Sequence, residues 1–296
     1  MLPRAVEAPL LELQSPRAGR LAYYRDESGS GRPLVLIHSL NAAPSVFEMK
    51  PLFEHYRGRR PVFALDLPGF GHSERGERAY SPELYAGAIE DLMQDAVTGA
   101  ADFVALSLGA ELIARIALER PELVNSLVMI SPTGFSHASL PGERTSRRVW
   151  RILVLPGLGD LLFALVASRP SLRFFLDRSF EGPAPEAMIE YAHASAHRPG
   201  AKYAPFSFLS GQTFTRQAFD RLHGKLEHPT LVLYDQDPNV SFERLPEWLE
   251  GGAQRRALRI APTRGLPHWD QPEATFASLD AFWRAVDAGE SPLRNP

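Results

Sequence analysis

Short apolar runs alternate along the chain with stretches of helical periodicity, and this alternation restricts the possible folds more than any other feature of the sequence. Such short, almost uninterrupted runs are typical of strands that are buried on both faces of a sheet. The runs span residues 33–38, 61–66, 103–106, 126–130, 230–234 and 257–261. Two segments nearer the start of the chain, residues 10–14 and 20–24, predict short edge strands.

Helical patterns occupy the intervals between these runs, at residues 81–97, 108–119 and 272–286. Strand–helix alternation of this kind predicts an α/β fold, with a mostly parallel sheet and helices on both faces. The alternation stops between residues 134 and 226, where Arg, Phe, Leu and Pro are frequent and no buried strand is evident. We therefore expect a core made of residues 1–134 and 227–296, with residues 135–226 inserted after the sixth strand as a helical cap.

The composition of the 296-residue chain excludes several classes of protein. Hydrophobic residues make up 44% of it and the formal net charge is −3, so neither disorder nor a nucleic-acid partner is expected. The chain contains no cysteine, which excludes disulfides, thiol nucleophiles and Fe–S clusters. The first 16 residues lack the apolar core of a signal peptide, and residues 152–168 are too interrupted for a spanning helix. These features predict a cytoplasmic protein without stable membrane insertion.

The strongest chemical signal is Ser107, which stands where a predicted strand runs directly into a predicted helix. A serine on such a sharp turn has its hydroxyl exposed above the sheet, and the N–H of Leu108 can help to hold an oxyanion. The usual pattern for this turn is Gly-x-Ser-x-Gly, and the chain has Ala105 in place of the first glycine. The alternative interpretation is that Ser107 only caps the helix.

Two loops next to this turn complete a pattern that resembles a known family. They are Leu36-Ile-His-Ser-Leu-Asn41 and Asp66-Leu-Pro-Gly-Phe-Gly-His-Ser73. With them, the chain from about residue 10 to residue 286 resembles an α/β-hydrolase of the capped carboxylesterase, epoxide-hydrolase and dehalogenase group. The resemblance implies that the N–H of Leu40 is the second oxyanion donor. It also implies structural roles for His38 and His72, with His38 as a less favoured alternative base.

The resemblance places the acid of a catalytic triad after the strand at residues 230–234. The family usually has Trp/Tyr-Gly-x-x-Asp there, whereas the chain has Tyr234-Asp-Gln-Asp237, with the glycine deleted. Asp237 is the expected acid and Asp235 is the rival. Either carboxylate could also be a simple turn residue, because aspartate is common in turns.

The base is expected in the loop before the last helix. The family usually has a histidine directly after a glycine in this loop, but Leu266 follows Gly265 in this chain, and one residue of the loop is deleted. His268 is the remaining histidine of the loop and is the predicted base. The displaced histidine leaves two alternatives open, an altered base or a degraded triad in a protein that binds without turnover.

The implied activity is hydrolysis of a small to medium hydrophobic carboxylic ester by Ser107, Asp237 and His268, through an acyl-enzyme intermediate. Alternatives are C–C bond hydrolysis of a β-ketone by the same triad, and a catalytically silent protein that binds a hydrophobic ligand. The expected partner is a small hydrophobic acyl substrate, with no cofactor and no metal, and a homodimer is possible. His193 and His197 share a helical face, but two histidines alone indicate a metal site only weakly.

The predicted cap combines many apolar residues with flanking arginines. Its leucines and phenylalanines are expected partly to pack on the core and partly to line an acyl pocket. Arginines on either side of the apolar stretch fit an ordinary amphipathic cap with solvated charges, and they also fit a lid that faces lipid. The sequence favours the ordinary cap.

Overall fold

A computed structural model describes residues 2–289 of the chain as an eight-stranded sheet with helices on both faces. The strands are β1 (Leu10–Ser15), β2 (Gly19–Asp26), β3 (Leu34–Ile37), β4 (Val62–Asp66), β5 (Ala101–Leu106), β6 (Val124–Ile130), β7 (Thr230–Tyr234) and β8 (Arg255–Arg259). Their order in the sheet is β1-β2-β4-β3-β5-β6-β7-β8. The pairs β1–β2 and β2–β4 are antiparallel, and all other neighbouring strands are parallel.

Helices occupy the connections between the strands. They are α1 (Lys50–Tyr56), α2 (Pro82–Asp95), α3 (Gly109–Glu119), α4 (Glu143–Leu153), α5 (Leu158–Val166), α6 (Arg169–Asp177), α7 (Glu186–Ala196), α8 (Tyr203–Leu209), α9 (Ala218–Arg221), α10 (Leu245–Glu250), α11 (Pro267–Asp270) and α12 (Pro272–Asp287). Short 3-10 turns lie at Val46–Met49, Pro121–Leu123 and His223–Lys225. Helix α2 begins after Ser81, whose hydroxyl accepts a hydrogen bond from the Leu84 N–H, as expected of an N-cap.

The core consists of two apolar layers, one on each face of the sheet. Successive side chains of a strand point to opposite faces, so each central strand contributes to both layers. In β5, for example, Phe103 packs in the layer that contains α2 and α3, whereas Val104 packs in the layer that contains α1 and α12. This two-sided burial explains why the central strands are apolar throughout. The predicted α/β-hydrolase fold, with its mostly parallel sheet, is confirmed.

Helices α4 to α9 form the connection between β6 and β7, so the longest insertion follows the sixth strand. This segment has a small apolar core of its own, in which the rings of Phe163 and Phe206 meet edge to face. The exact division of the chain at residues 134 and 226 stays a prediction. No single helix within residues 2–289 is long and apolar enough to cross a membrane, although α4 and α5 together reach that length and apolarity across a 93° bend.

Candidate active site

Ser107 occupies a strained turn between β5 and α3. Its φ angle is 53°, in the left-handed region that side chains other than glycine rarely adopt. A hydrogen bond to the neighbouring strand fixes the turn, since the Ser107 N–H donates to the carbonyl of Ile130 in β6 at 2.8 Å. A serine held in this conformation by its surroundings is typical of a functional site, whereas a simple helix N-cap has extended backbone angles.

The close approach of α3 to the neighbouring loop explains the glycine after this turn. A Cβ added to Gly109 would lie 2.9 Å from the backbone oxygen of His38 and 3.2 Å from the Ile37 side chain. The position of the first glycine in the family pattern has room for a Cβ, because Ala105 is accommodated there and is fully buried in β5. The departure from the usual pattern at Ala105 therefore leaves the turn intact.

The loop after β3 lies beside Ser107 and is fixed by buried hydrogen bonds. The Leu67 N–H donates to Nε2 of His38 at 3.0 Å, so His38 Nδ1–H donates to the Ser39 carbonyl at 2.6 Å. Both ring nitrogens of His38 are therefore used in holding the loop. Of the two expected oxyanion donors, Leu40 lines the same cavity as Ser107 and Leu108 follows Ser107 directly at the start of α3.

Glu48 is a second anchor of this loop that the sequence reasoning missed. Its carboxylate accepts hydrogen bonds from the Ser39 N–H at 2.9 Å, the Ser39 hydroxyl at 3.0 Å and the Asn41 side-chain amide at 2.8 Å. The Ser39 side chain is thus directed to Glu48. The sequence signal that could have revealed it is a single glutamate within the apolar segment Val46-Phe-Glu-Met49, which forms a buried 3-10 turn.

A cavity of about 400 Å³ opens in front of Ser107, between the sheet and the cap. This volume is in the range of small-molecule sites, and the lining is mostly apolar, as such sites usually are. The core side includes Ser39, Leu40, Leu106, Ser107, Ser131, Asp237 and Leu266, and the cap side includes Val166, Leu172, Phe175, Leu176, Met188, Tyr191, Phe208 and Leu209. Among the residues described, the lining contains the carboxylates of Glu48 and Asp237 but no histidine, lysine or arginine.

Asp237 lies in this cavity, whereas Asp235 is held elsewhere. Asp235 forms an ion pair with Arg259 at 2.6 Å and accepts a hydrogen bond from the Thr263 N–H. One oxygen of Asp237 accepts hydrogen bonds from the N–H groups of Asn239 and Val240, at 2.7 and 3.1 Å. Burial raises the pKa of Asp237 to about 6, against the effect of these donors and of the Ser131 hydroxyl.

His268 does not lie with Ser107 and Asp237. Its ring is fully buried outside the cavity lining, and its Nε2–H donates to the backbone carbonyl of Glu48 at 2.8 Å. The Trp269 indole N–H donates to the same oxygen at 2.7 Å. Burial lowers the pKa of His268 to about 4, so the imidazole is neutral and weakly basic. The expectation that the shortened loop would bring His268 to Ser107 therefore does not agree with this geometry.

Leu266 stands in the cavity at the position where the family has its histidine. It lines the cavity directly after Gly265, whose backbone comes so close to Asp237 that an added Cβ would lie 2.6 Å from the carboxylate. The structure thus brings Ser107, Asp237 and the loop of the expected base to one place. The side chain that would connect the serine with the acid is aliphatic.

The other histidines considered from the sequence lie outside the lining of the Ser107 cavity. The His72 ring is hydrogen bonded to the Pro3 carbonyl at 3.0 Å. The rings of His193 and His197 lie 4.0 Å apart, centroid to centroid, on the surface of α7. Among residues 2–289, no group of three or more His, Asp, Glu or Cys side chains is arranged to hold a metal ion.

The fold and the serine turn define the class of this protein. The sequence model of the alpha/beta hydrolase family matches residues 34–279, which is most of the chain. The chain therefore belongs to the α/β-hydrolase family, and the predicted resemblance is confirmed.

Curated relatives match part of the chain. An esterase of Mycobacterium tuberculosis is 32% identical over 145 residues, which are 47% of this chain and 46% of that protein. A 2-(acetamidomethylene)succinate hydrolase of Mesorhizobium japonicum is 33% identical over 117 residues, 40% of this chain and 41% of that protein. The chain thus spans less than half the length of these relatives. Their similarity supports a hydrolase.

Solved structures match the chain over almost its whole length. An enol-lactonase of Burkholderia xenovorans has a TM-score of 0.71 at 15% identity, and the match covers 93% of this chain and all of that one. A serine hydrolase involved in carbazole degradation has a TM-score of 0.73 at 18% identity, covering 93% and 99%. At such low identity, these likenesses show the common fold.

Proposed function

We propose that the protein hydrolyses a hydrophobic carboxylic ester, with Ser107 as the nucleophile. The observation that carries this proposal is the strained Ser107 at the bottom of a mostly apolar cavity. A serine hydroxyl suits attack on a carbonyl carbon, and a mostly apolar lining suits an acyl chain. The N–H groups of Leu40 and Leu108 then hold the oxyanion of the tetrahedral intermediate.

Asp237 is the group that accepts the serine proton in this proposal, through a water molecule in the cavity. Asp237 is a partly buried carboxylate that lines the cavity together with Ser107, and its pKa of about 6 lies close to neutral pH, where a general base works best. The proton passes from Ser107 Oγ to Asp237 as the C–O bond to the acyl carbon forms. It then passes to the alkoxide as the ester C–O bond to the alcohol breaks. A second water gives a proton to Asp237 as its oxygen bonds to the acyl carbon. The bond between that carbon and Ser107 Oγ then breaks, the carboxylic acid leaves, and Asp237 returns the proton to Oγ.

In this proposal, His268 holds α11 against the turn that contains Glu48, because its Nε2–H donates to the Glu48 carbonyl. Its Nε2 is already used and its basicity is low, so it cannot replace the missing imidazole without rearrangement of the loop. Binding without turnover is the second candidate function, and the aliphatic Leu266 at the position of the base is the observation that favours it.

Hydrolysis of a series of p-nitrophenyl esters and of a β-diketone by four forms of the protein tests the proposal. We expect Ser107→Ala and Asp237→Asn to lose ester hydrolysis by about a hundredfold or more. His268→Gln, the matched control outside the cavity, should retain it. Equal rates for the wild type and Ser107→Ala would favour the binding protein, and cleavage of the diketone alone would favour C–C hydrolysis. Loss of activity in a folded His268→Gln would contradict the role assigned to Asp237.

A further inference from the structure

The cap carries a large exposed apolar surface that the proposed reaction does not explain. The large hydrophobic residues exposed in the described part of the chain all lie in or beside α4, α5, α6 and α8. They are Val149, Ile152, Leu155, Leu158, Leu161, Leu165, Phe174, Phe175 and Leu209. We call this set the cap face. Leu161 and Leu165 are 62% and 61% exposed, whereas the leucines of a helix that packs on a core are mostly buried.

The cap face is continuous with the mouth of the Ser107 cavity. Helix α4 contacts α5 and α8, and α5 contacts α6, so the exposed residues belong to adjoining helices. Phe175 and Leu209 are each more than half exposed and also line the cavity. An apolar compound held against the cap face would therefore reach the cavity along an apolar surface. Exposed apolar patches at such a position mark sites of interaction.

Arginines lie on the helices that carry the cap face. Residues 143–178 contain seven arginines and three acidic residues, whereas the whole chain has a formal net charge of −3. Some of these arginines are paired, such as Arg169 with Glu190 and Arg173 with Glu186. Arg148 and Arg151, on α4, are exposed, and the structure shows no ion pair for either within residues 2–289. Charge and apolar surface thus occur together.

We propose that the cap face docks on the surface of an anionic lipid bilayer. A helical surface with exposed leucine and phenylalanine beside arginine matches the chemistry of the boundary between acyl chains and anionic headgroups. A second copy of the chain is a poorer occupant, because a symmetric dimer through this face would bring the same unpaired arginines together. The proposed contact is peripheral and reversible, with the cap helices lying at the bilayer surface.

Flotation of the full chain with lipid vesicles tests this proposal without using the hydrolytic activity. The vesicles contain either phosphatidylcholine alone or equal parts of phosphatidylcholine and phosphatidylglycerol. We expect the wild type and Ser107→Ala to float equally with the anionic vesicles and about tenfold less with the neutral ones. Because Ser107→Ala is inactive in the proposed function, failure of binding and failure of catalysis are seen separately.

Two double variants identify the surface. Leu161→Ser with Leu165→Ser and Arg148→Gln with Arg151→Gln should each weaken binding to anionic vesicles by about tenfold. Arg284→Gln, an exposed arginine on α12, is the matched control and should bind as the wild type does. All these positions are exposed, so the variants are expected to fold.

Three results would overturn the proposal. The first is that the wild type does not float with either kind of vesicle. The second is that the leucine double variant binds as tightly as the wild type. The third is a concentration-dependent dimer, measured by sedimentation, that the leucine substitutions abolish while vesicle binding is absent. In that case, the cap face is an interface between copies of the chain.

Discussion

At the scale of single residues, the site combines the strained turn expected of the family with an unusual set of side chains. Ser107 has a φ of 53° and faces a cavity that Asp237 also lines. Leu266 lines the same cavity directly after Gly265, whereas His268 is bonded to the Glu48 carbonyl outside the cavity lining. In the proposed function, the chemistry of the site depends on a carboxylate with a raised pKa rather than on an imidazole.

The substitution Leu266→His should increase ester hydrolysis. It places an imidazole in the loop beside Asp237, which can orient the ring and stabilise its charged form, and general base catalysis typically contributes about a hundredfold or more. Initial rates on a p-nitrophenyl ester measure the effect. Leu266→Asn, which is similar in size but not basic, is the control and should bring no increase. An unchanged rate in a folded Leu266→His would contradict the assignment of this position.

The protonation of His268 should make the protein less stable in acid. Its pKa is about 4 in the folded state against 6.5 in the unfolded chain, so the unfolded state binds the proton more readily. The contribution of neutral His268 to the stability of the folded state is complete above pH 6.5. It is lost as the pH falls towards 4, which lowers the free energy of unfolding by up to about 3 kcal/mol.

Urea unfolding of the wild type and His268→Gln at a series of pH values measures this contribution. The side-chain amide introduced by the substitution can still donate to the Glu48 carbonyl but does not titrate, so the loss of stability between pH 6.5 and 4 should be smaller in the variant. Identical pH dependence in His268→Gln and the wild type would show that His268 is not the buried neutral residue described.

The position of Ser107 and Asp237 at one cavity could be predicted from the sequence, but the surroundings of His268 could not. The catalytic roles of Ser107 and Asp237 stay a prediction. Ser107 and Asp237 follow directly from the ends of buried strands, so their positions depend on the sheet, which the sequence pattern specifies well. His268 belongs to a shortened loop. Its direction depends on the bond between its Nε2 and a backbone carbonyl 220 residues away in the chain, which no local pattern reveals.

At the scale of secondary-structure elements, the turn from β5 into α3 positions the site. The strands that the sequence predicts agree with the structure within about two residues at most ends, because short buried apolar runs leave few alternatives. Helices α1 and α10 were not predicted. They are short, at seven and six residues, and begin at or next to a proline, so they lack a clear helical periodicity.

The substitution Gly109→Ala should disturb this turn. The added Cβ lies 2.9 Å from the His38 carbonyl, so α3 or the loop after β3 must shift. We expect this shift to cost about 1–3 kcal/mol in the free energy of unfolding. Ester hydrolysis should fall as well, since the donors around Ser107 move. Urea unfolding and initial rates measure both effects. Gly182→Ala, where no atom lies within 4 Å of the added Cβ, is the control, and equal stability of the two variants would contradict the argument.

At the scale of the whole molecule, residues that follow the sheet strands and apolar residues of the inserted helices line one cavity. The insertion after β6 could be predicted from the loss of strand–helix alternation, but the exposure of its leucines could not. Periodicity shows which residues share a helical face. It does not show whether another element covers that face, which depends on how α4, α5 and α6 pack together.

Labelling with a fluorophosphonate, followed by mass spectrometry to locate the modified residue, tests the central claim most directly. Such a reagent reacts with a serine only where its hydroxyl is activated and an oxyanion is stabilised. We expect one adduct, on Ser107, whose formation persists in His268→Gln and is strongly slowed in Asp237→Asn. A folded wild-type protein that acquires no adduct on Ser107, or a label that depends on His268, would contradict that claim.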